Sequence, residues 1–77
     1  MRVKVYPGSF CDTNALDEAG FMELEDSAVL GDVLKRLKYP LPLKLMGLYM
    51  VNYKKVKLDT QLKDGDIISI IAPMAGG

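Results

Sequence analysis

The sequence predicts an α+β fold, a mixed sheet of four or five strands with one helix packed across one face. Three observations predict it. Residues 2–6 and 21–25 alternate polar with apolar side chains at a period of two. Residues 27–38 switch to a helical period. Residues 67–72 form a nearly continuous apolar run, as expected of a central strand buried on both faces.

Length and composition bound what such a domain can do. The chain has 77 residues, enough for one small domain, and 49% of them are hydrophobic, so a packed core is within reach. Ten basic residues balance ten acidic ones. The zero net charge predicts no nucleic-acid or membrane partner. Tyr6, Tyr39, Tyr49 and Tyr53 are not set in a basic run that would stack bases. A single cysteine, Cys11, and no histidine exclude an internal disulfide, His/Cys metal sites and imidazole catalysis. No apolar run approaches the ~18 residues of a membrane span. Residues 1–5 lack the apolar block of a secretion leader. A cytoplasmic domain without bound metal is the expectation.

The elements follow in order. In 2–6, Val3 and Val5 face inward, and Pro7-Gly8-Ser9 ends the strand. Residues 9–20 are polar and irregular, with a turn at Glu18-Ala19-Gly20. The strand 21–25 then pairs back on the first as a hairpin. In 27–38, Leu30, Val33, Leu34 and Leu37 form the buried stripe. Ser27 or Asp26 is the expected cap, Asp32 and Arg36 a weak pair on the wet face, and Gly31 a point of close packing against the sheet. Pro40 stops the helix. Residues 48–52 and 55–58 are the next strands, the second with Val56 and Leu58 turned inward. Residues 62–66 form a turn, with Gly65 free to take a positive φ. The strand 67–72 ends at Pro73, which lacks a backbone donor. The helical crossover lets the first and last strands lie parallel at the centre of the sheet, which is a β-grasp arrangement. The expected division is a domain over 1–72 and a flexible tail over 73–77.

The tail is the sharpest chemical feature. Residues 73–77 can reach about 16 Å from the sheet at ~3.3 Å each. Gly76 and Gly77 carry no side chains to obstruct a narrow channel. A carboxylate delivered into another protein's active site suits this design, and a frayed terminus is the ordinary alternative. Elsewhere, Leu41–Met50 holds more apolar residues than one strand face buries. Either the core takes them all, or Leu45, Met46, Leu48 and Met50 form a partner-binding patch. Cys11 is either a reactive thiol or incidental. Asp64 and Asp66 suggest a paired carboxylate, but beside Gly65 they read as turn residues. No catalytic residue emerges.

The run from Leu62 through Asp64-Gly65-Asp66, the strand 67–72 and Pro73 to Gly76-Gly77 resembles the end of the ThiS/MoaD family of ubiquitin-like sulfur carriers. Val51-Asn52 and the stretch Ser27–Leu34 are similar to that family as well. Val29 departs from its usual helix-capping threonine, and 9–20 matches no pattern of the family. The resemblance implies a carrier rather than an enzyme, with no cofactor of its own. A ubiquitin-activating-like adenylating enzyme would use ATP on the Gly77 carboxylate. Conversion to a thiocarboxylate would follow, with Pro73, Met74, Ala75 and Gly76 lying in the partner's active site. The sulfur would go to a molybdopterin synthase large subunit, the preferred reading from length and Pro73, or to a thiazole synthase in thiamin synthesis. A ubiquitin-like modifier joined to lysines through Gly77 and a plain β-grasp interaction domain are the rival readings.

Overall fold

Strand β1 (Arg2–Tyr6) buries Val3 and Val5 and leaves the alternate side chains outward, as its period requires. The computed structural model describes residues 1–8, 11–39 and 47–71. The other strands are β2 (Phe21–Glu23), β3 (Leu48–Val51), β4 (Lys54–Val56) and β5 (Ile67–Ile71), and helix α1 spans Leu30–Arg36. The sheet order is β2-β1-β5-β3-β4. The β1–β5 pair is parallel, with Lys4 opposite Ile67 and Tyr6 opposite Ser69; β1–β2, β3–β5 and β3–β4 are antiparallel. This is the expected β-grasp sheet, with the most apolar strand beside β1.

The core lies between α1 and one sheet face. Leu30, Val33, Leu34 and Leu37 meet Val3, Val5, Met22, Ile68 and Ile70 there, all buried. With one α-helix among the described residues, they cover only one face. The expectation that β5 is buried on both faces is therefore wrong: Ile68 and Ile70 are buried, Ile67 and Ser69 are half-buried, and Ile71 is 46% exposed. The run also ends at Ile71 for the described residues, so the expected limit at Ala72 lies outside them.

The helix starts later than its periodicity suggests. Neither Ser27 nor Asp26 caps it; Val29 is the N-cap and its side chain has no acceptor. Three other groups meet the free N–H groups of the first turn. Asp32 Oδ2 accepts from Val29 N at 2.9 Å. The Thr60 and Leu58 carbonyls accept from Leu30 N and Gly31 N, each at 2.9 Å. Asp32 is thereby committed and does not pair with Arg36, whose guanidinium donates to the Glu23 carbonyl at 3.3 Å. Gly31 faces the 58–60 turn rather than the sheet.

The helix also stops before Pro40 can act, and Pro40 lies outside the described residues. Lys38 takes a left-handed φ of 54°, Lys38 N donates to Lys35 O, and Tyr39 N donates to Leu34 O at 3.1 Å. That pair of bonds is a Schellman ending with lysine where glycine is usual. In the 9–20 stretch, Thr13–Ala15 forms a 3-10 turn capped by Asp12, and Glu18–Gly20 turns as expected. β4 begins one residue earlier than expected because β3 and β4 are joined by two residues only, Asn52 and Tyr53, at φ 53° and 68°. Positive φ at both positions is that of a type I′ hairpin turn. Val56 and Leu58 pack half-buried on the core.

Candidate functional site

Gly77 and the tail residues Pro73, Met74, Ala75 and Gly76 lie outside the described residues, as do Leu45 and Met46 of the expected patch. The structure describes the platform from which the tail leaves. β5 carries the chain toward it, and β5 is fastened at its start.

The fastening is a polar network around the 64–66 turn. Gly65, at φ 86°, donates its N–H to Arg2 O at 2.8 Å, and Asp64 Oδ1 accepts from Arg2 N at 2.7 Å. Asp66 is buried; its Oδ2 accepts from Lys63 N at 2.8 Å and its Oδ1 from Asn52 Nδ2 at 2.9 Å. Asn52 Oδ1 accepts in turn from Ile67 N at 3.0 Å, and Asn52 N donates to Ile67 O at 2.7 Å. β1, the β3–β4 turn and β5 thus share one hydrogen-bonded knot. Asp64 and Asp66 are spent as acceptors within it, so the pair is a turn device.

At the other end of β5 the open sheet face carries Ile71 opposite Leu48, and Ser69 between Tyr6 and Met50. Tyr6 is 51% exposed, and Leu48 and Met50 are half-buried. Leu48 and Met50 therefore share the open sheet face with Tyr6 and Ile71. Sequence reasoning missed Tyr6 and Ile71 as members. The alternation of β1 could have supplied Tyr6, because Val3 and Val5 point to the other face. Beside the patch, the Arg2 guanidinium lies 4.2 Å from the Phe21 ring centroid, and Lys4 Nζ lies 5.1 Å from Phe21 and 5.5 Å from Tyr6. Lys4 also donates to the Ala19 carbonyl, and Arg2 pairs with Asp17 at 2.8 Å. The Phe21 N–H and the Arg2 guanidinium hold the Asp17 carboxyl below the usual carboxylate range.

Cys11 packs half-buried against the core, and burial pushes its thiol up, against the opposing effect of a Gly8 backbone hydrogen bond. A thiol kept protonated is a poor nucleophile. Tyr39 and Tyr49 meet edge to face, 6.4 Å apart at 77°, and burial raises both phenols. No group of three or more metal-ligating side chains gathers among the described residues. No helix among them is long and apolar enough to cross a membrane.

The ThiS family model matches residues 13–77, so the match runs through the 64–66 knot, β5 and both terminal glycines. No curated protein matches. Among solved structures the chain is similar to SAMP1 from Haloferax volcanii, with a TM-score of 0.58 and 18% identity over 99% of this chain and 97% of that one. That likeness is one of fold, and it places the mixed sheet and single helix among β-grasp, ubiquitin-like structures. With the family model covering strands β2 to β5, the helix and the Gly-Gly end together, the chain belongs to the ThiS family of ubiquitin-like proteins, small carriers and modifiers linked to sulfur transfer.

Proposed function

We propose that this chain is a sulfur carrier whose Gly77 carboxylate is the reacting group, serving as the small subunit of a molybdopterin synthase. The observation that carries the reading is the family match over 64–77, in which a knotted turn fixes β5 and β5 leads straight into Pro73 and the two glycines. In this reading the carboxylate attacks the α-phosphate of ATP in an adenylating partner and releases pyrophosphate. Hydrosulfide from a donor attacks the acyl carbon of the adenylate, AMP leaves, and the thiocarboxylate remains. Pro73, Met74, Ala75 and Gly76 thread the partner's active site while Leu48, Met50, Tyr6 and Ile71 rest on its surface. The chain binds no cofactor; ATP belongs to the partner, and the setting is the cytoplasm.

Intact mass after incubation with the adenylating enzyme, ATP and a sulfur donor tests the reaction. The expected product has one oxygen replaced by sulfur in the peptide that ends at Gly77. An unchanged mass sinks the carrier reading, and isopeptide-linked bands on a denaturing gel would make the chain a modifier instead. Pro73 favours the molybdopterin partner. Co-purification of a thiazole synthase without a molybdopterin synthase large subunit would assign the chain to thiamin synthesis.

A further inference from the structure

The balanced net charge hides a segregation. Residues 33–58 hold seven of the ten cations (Lys35, Arg36, Lys38, Lys44, Lys54, Lys55, Lys57) and none of the ten acids. Residues 1–32 hold seven acids and only Arg2 and Lys4 as cations. Arg2, Lys38, Lys4 and Arg36 are occupied by Asp17, Asp12 and the Ala19 and Glu23 carbonyls. Lys54, Lys55 and Lys57 are exposed and make no ion pair among the described residues.

These lysines stand directly behind an unusual turn. A type I′ turn needs a left-handed backbone at both positions, and glycine meets that need at the second one without strain. Here Tyr53 occupies it at φ 68°. A bulky side chain in that region is strained. The Asn52 bonds to Asp66 and Ile67 hold the turn, but Tyr53 is 67% exposed and makes no hydrogen bond, ring contact or cation contact among the described residues, so nothing within them uses its side chain. Lysines on an edge strand also discourage edge-to-edge pairing, and that accounts for β4 itself. It does not account for a strained, exposed aromatic at the tip. Strain of this kind gathers where a ligand or partner is met.

We propose that the β3–β4 hairpin, with Tyr53 at its tip and Lys54, Lys55 and Lys57 behind it, is a docking element for a partner protein that offers an apolar slot rimmed by carboxylates. The charge pattern selects an acidic surface, and the phenol ring supplies a rigid anchor of the type that dominates binding energy. The hairpin stands at the start of β5, and the tail leaves from its far end, roughly 13 Å away at ~3.3 Å per residue. A partner that takes both is held at two separated points, which fixes the direction in which the tail enters. The proposal rests on the carrier reading for the identity of the partner, the adenylating enzyme.

The test measures the affinity of that enzyme for the full chain by calorimetry, without ATP or sulfur donor, at low and high salt. Tyr53→Gly is expected to raise the thermal midpoint and weaken binding by about tenfold. Tyr53→Asn, also tolerated at positive φ, should weaken binding similarly. Reversing Lys54, Lys55 and Lys57 to glutamate should weaken binding at low salt and remove its weakening by added salt. Unchanged affinity of the Tyr53 variants overturns the hairpin proposal and leaves the carrier reading standing. Binding by the wild-type chain with no sulfur ever gained overturns the carrier reading while the hairpin is still judged by its variants. A wild-type chain that does not bind the enzyme overturns the proposal as well.

Discussion

Asp66 and Asn52 show how one residue pair can decide the start of a central strand. Asp66 is buried, and its two carboxylate oxygens take the Lys63 N–H and the Asn52 amide. Removing it leaves both donors without their partner in a site that water reaches poorly. A hydrogen bond to a charged group is worth about 1.5–3 kcal/mol. Asp66→Ala should therefore lower the unfolding free energy by about 2 kcal/mol, read by chemical denaturation. Asn52→Ala should cost a similar amount, because Asn52 also takes the Ile67 N–H. The two changes break the same knot, so the double variant should cost less than the sum of the singles. Additive losses would show that the two residues act independently. The resemblance picked out both residues in the sequence. Their pairing did not follow from it: Asp64-Gly65-Asp66 reads as a turn in the sequence, but nothing local joins Asp66 to Asn52, 14 residues away.

At the scale of the element, helix α1 separates what periodicity can report from what it cannot. The spacing of Leu30, Val33, Leu34 and Leu37 is local, and all four are buried as their stripe requires. The caps are not local. Carbonyls from Leu58 and Thr60, about thirty residues further on, close the first turn, and no pattern near Val29 announces them. The same limit hid the exposure of Ile71: the apolar run 67–72 suits a strand covered on both sides, but one helix can cover only one. Gly31 sits in that first turn with no positive φ, and a Cβ there would meet Leu58 O at 3.5 Å, an ordinary contact. Alanine is favoured over glycine by about 0.8–1 kcal/mol in a helix interior, and by less near an end. Gly31→Ala should add about 0.5 kcal/mol, visible as a rise of a few degrees in midpoint. A loss of stability would mean that the Gly31 N–H to Leu58 O contact tolerates no displacement.

For the whole molecule, stability and chemistry reside in different residues. Every buried apolar residue described falls between Val3 and Ile70, and the hydrogen-bonded knot runs from Arg2 to Ile67. The proposed reacting group is Gly77. A chain shortened by Gly76 and Gly77 should then keep its unfolding midpoint, and Tyr53→Gly should still weaken the affinity it retains for the adenylating enzyme, because neither the fold nor the β3–β4 hairpin contact depends on those two residues. It should gain no sulfur at all, since its new terminal residue, Ala75, stops short of the proposed reacting position and carries a methyl group that glycine lacks. Calorimetry and intact mass on one preparation separate the two quantities. Sulfur gained at Ala75 would break the link between the glycines and the chemistry. A fall in midpoint would show that the tail contributes to the fold, and the division at 72–73 would have to be redrawn.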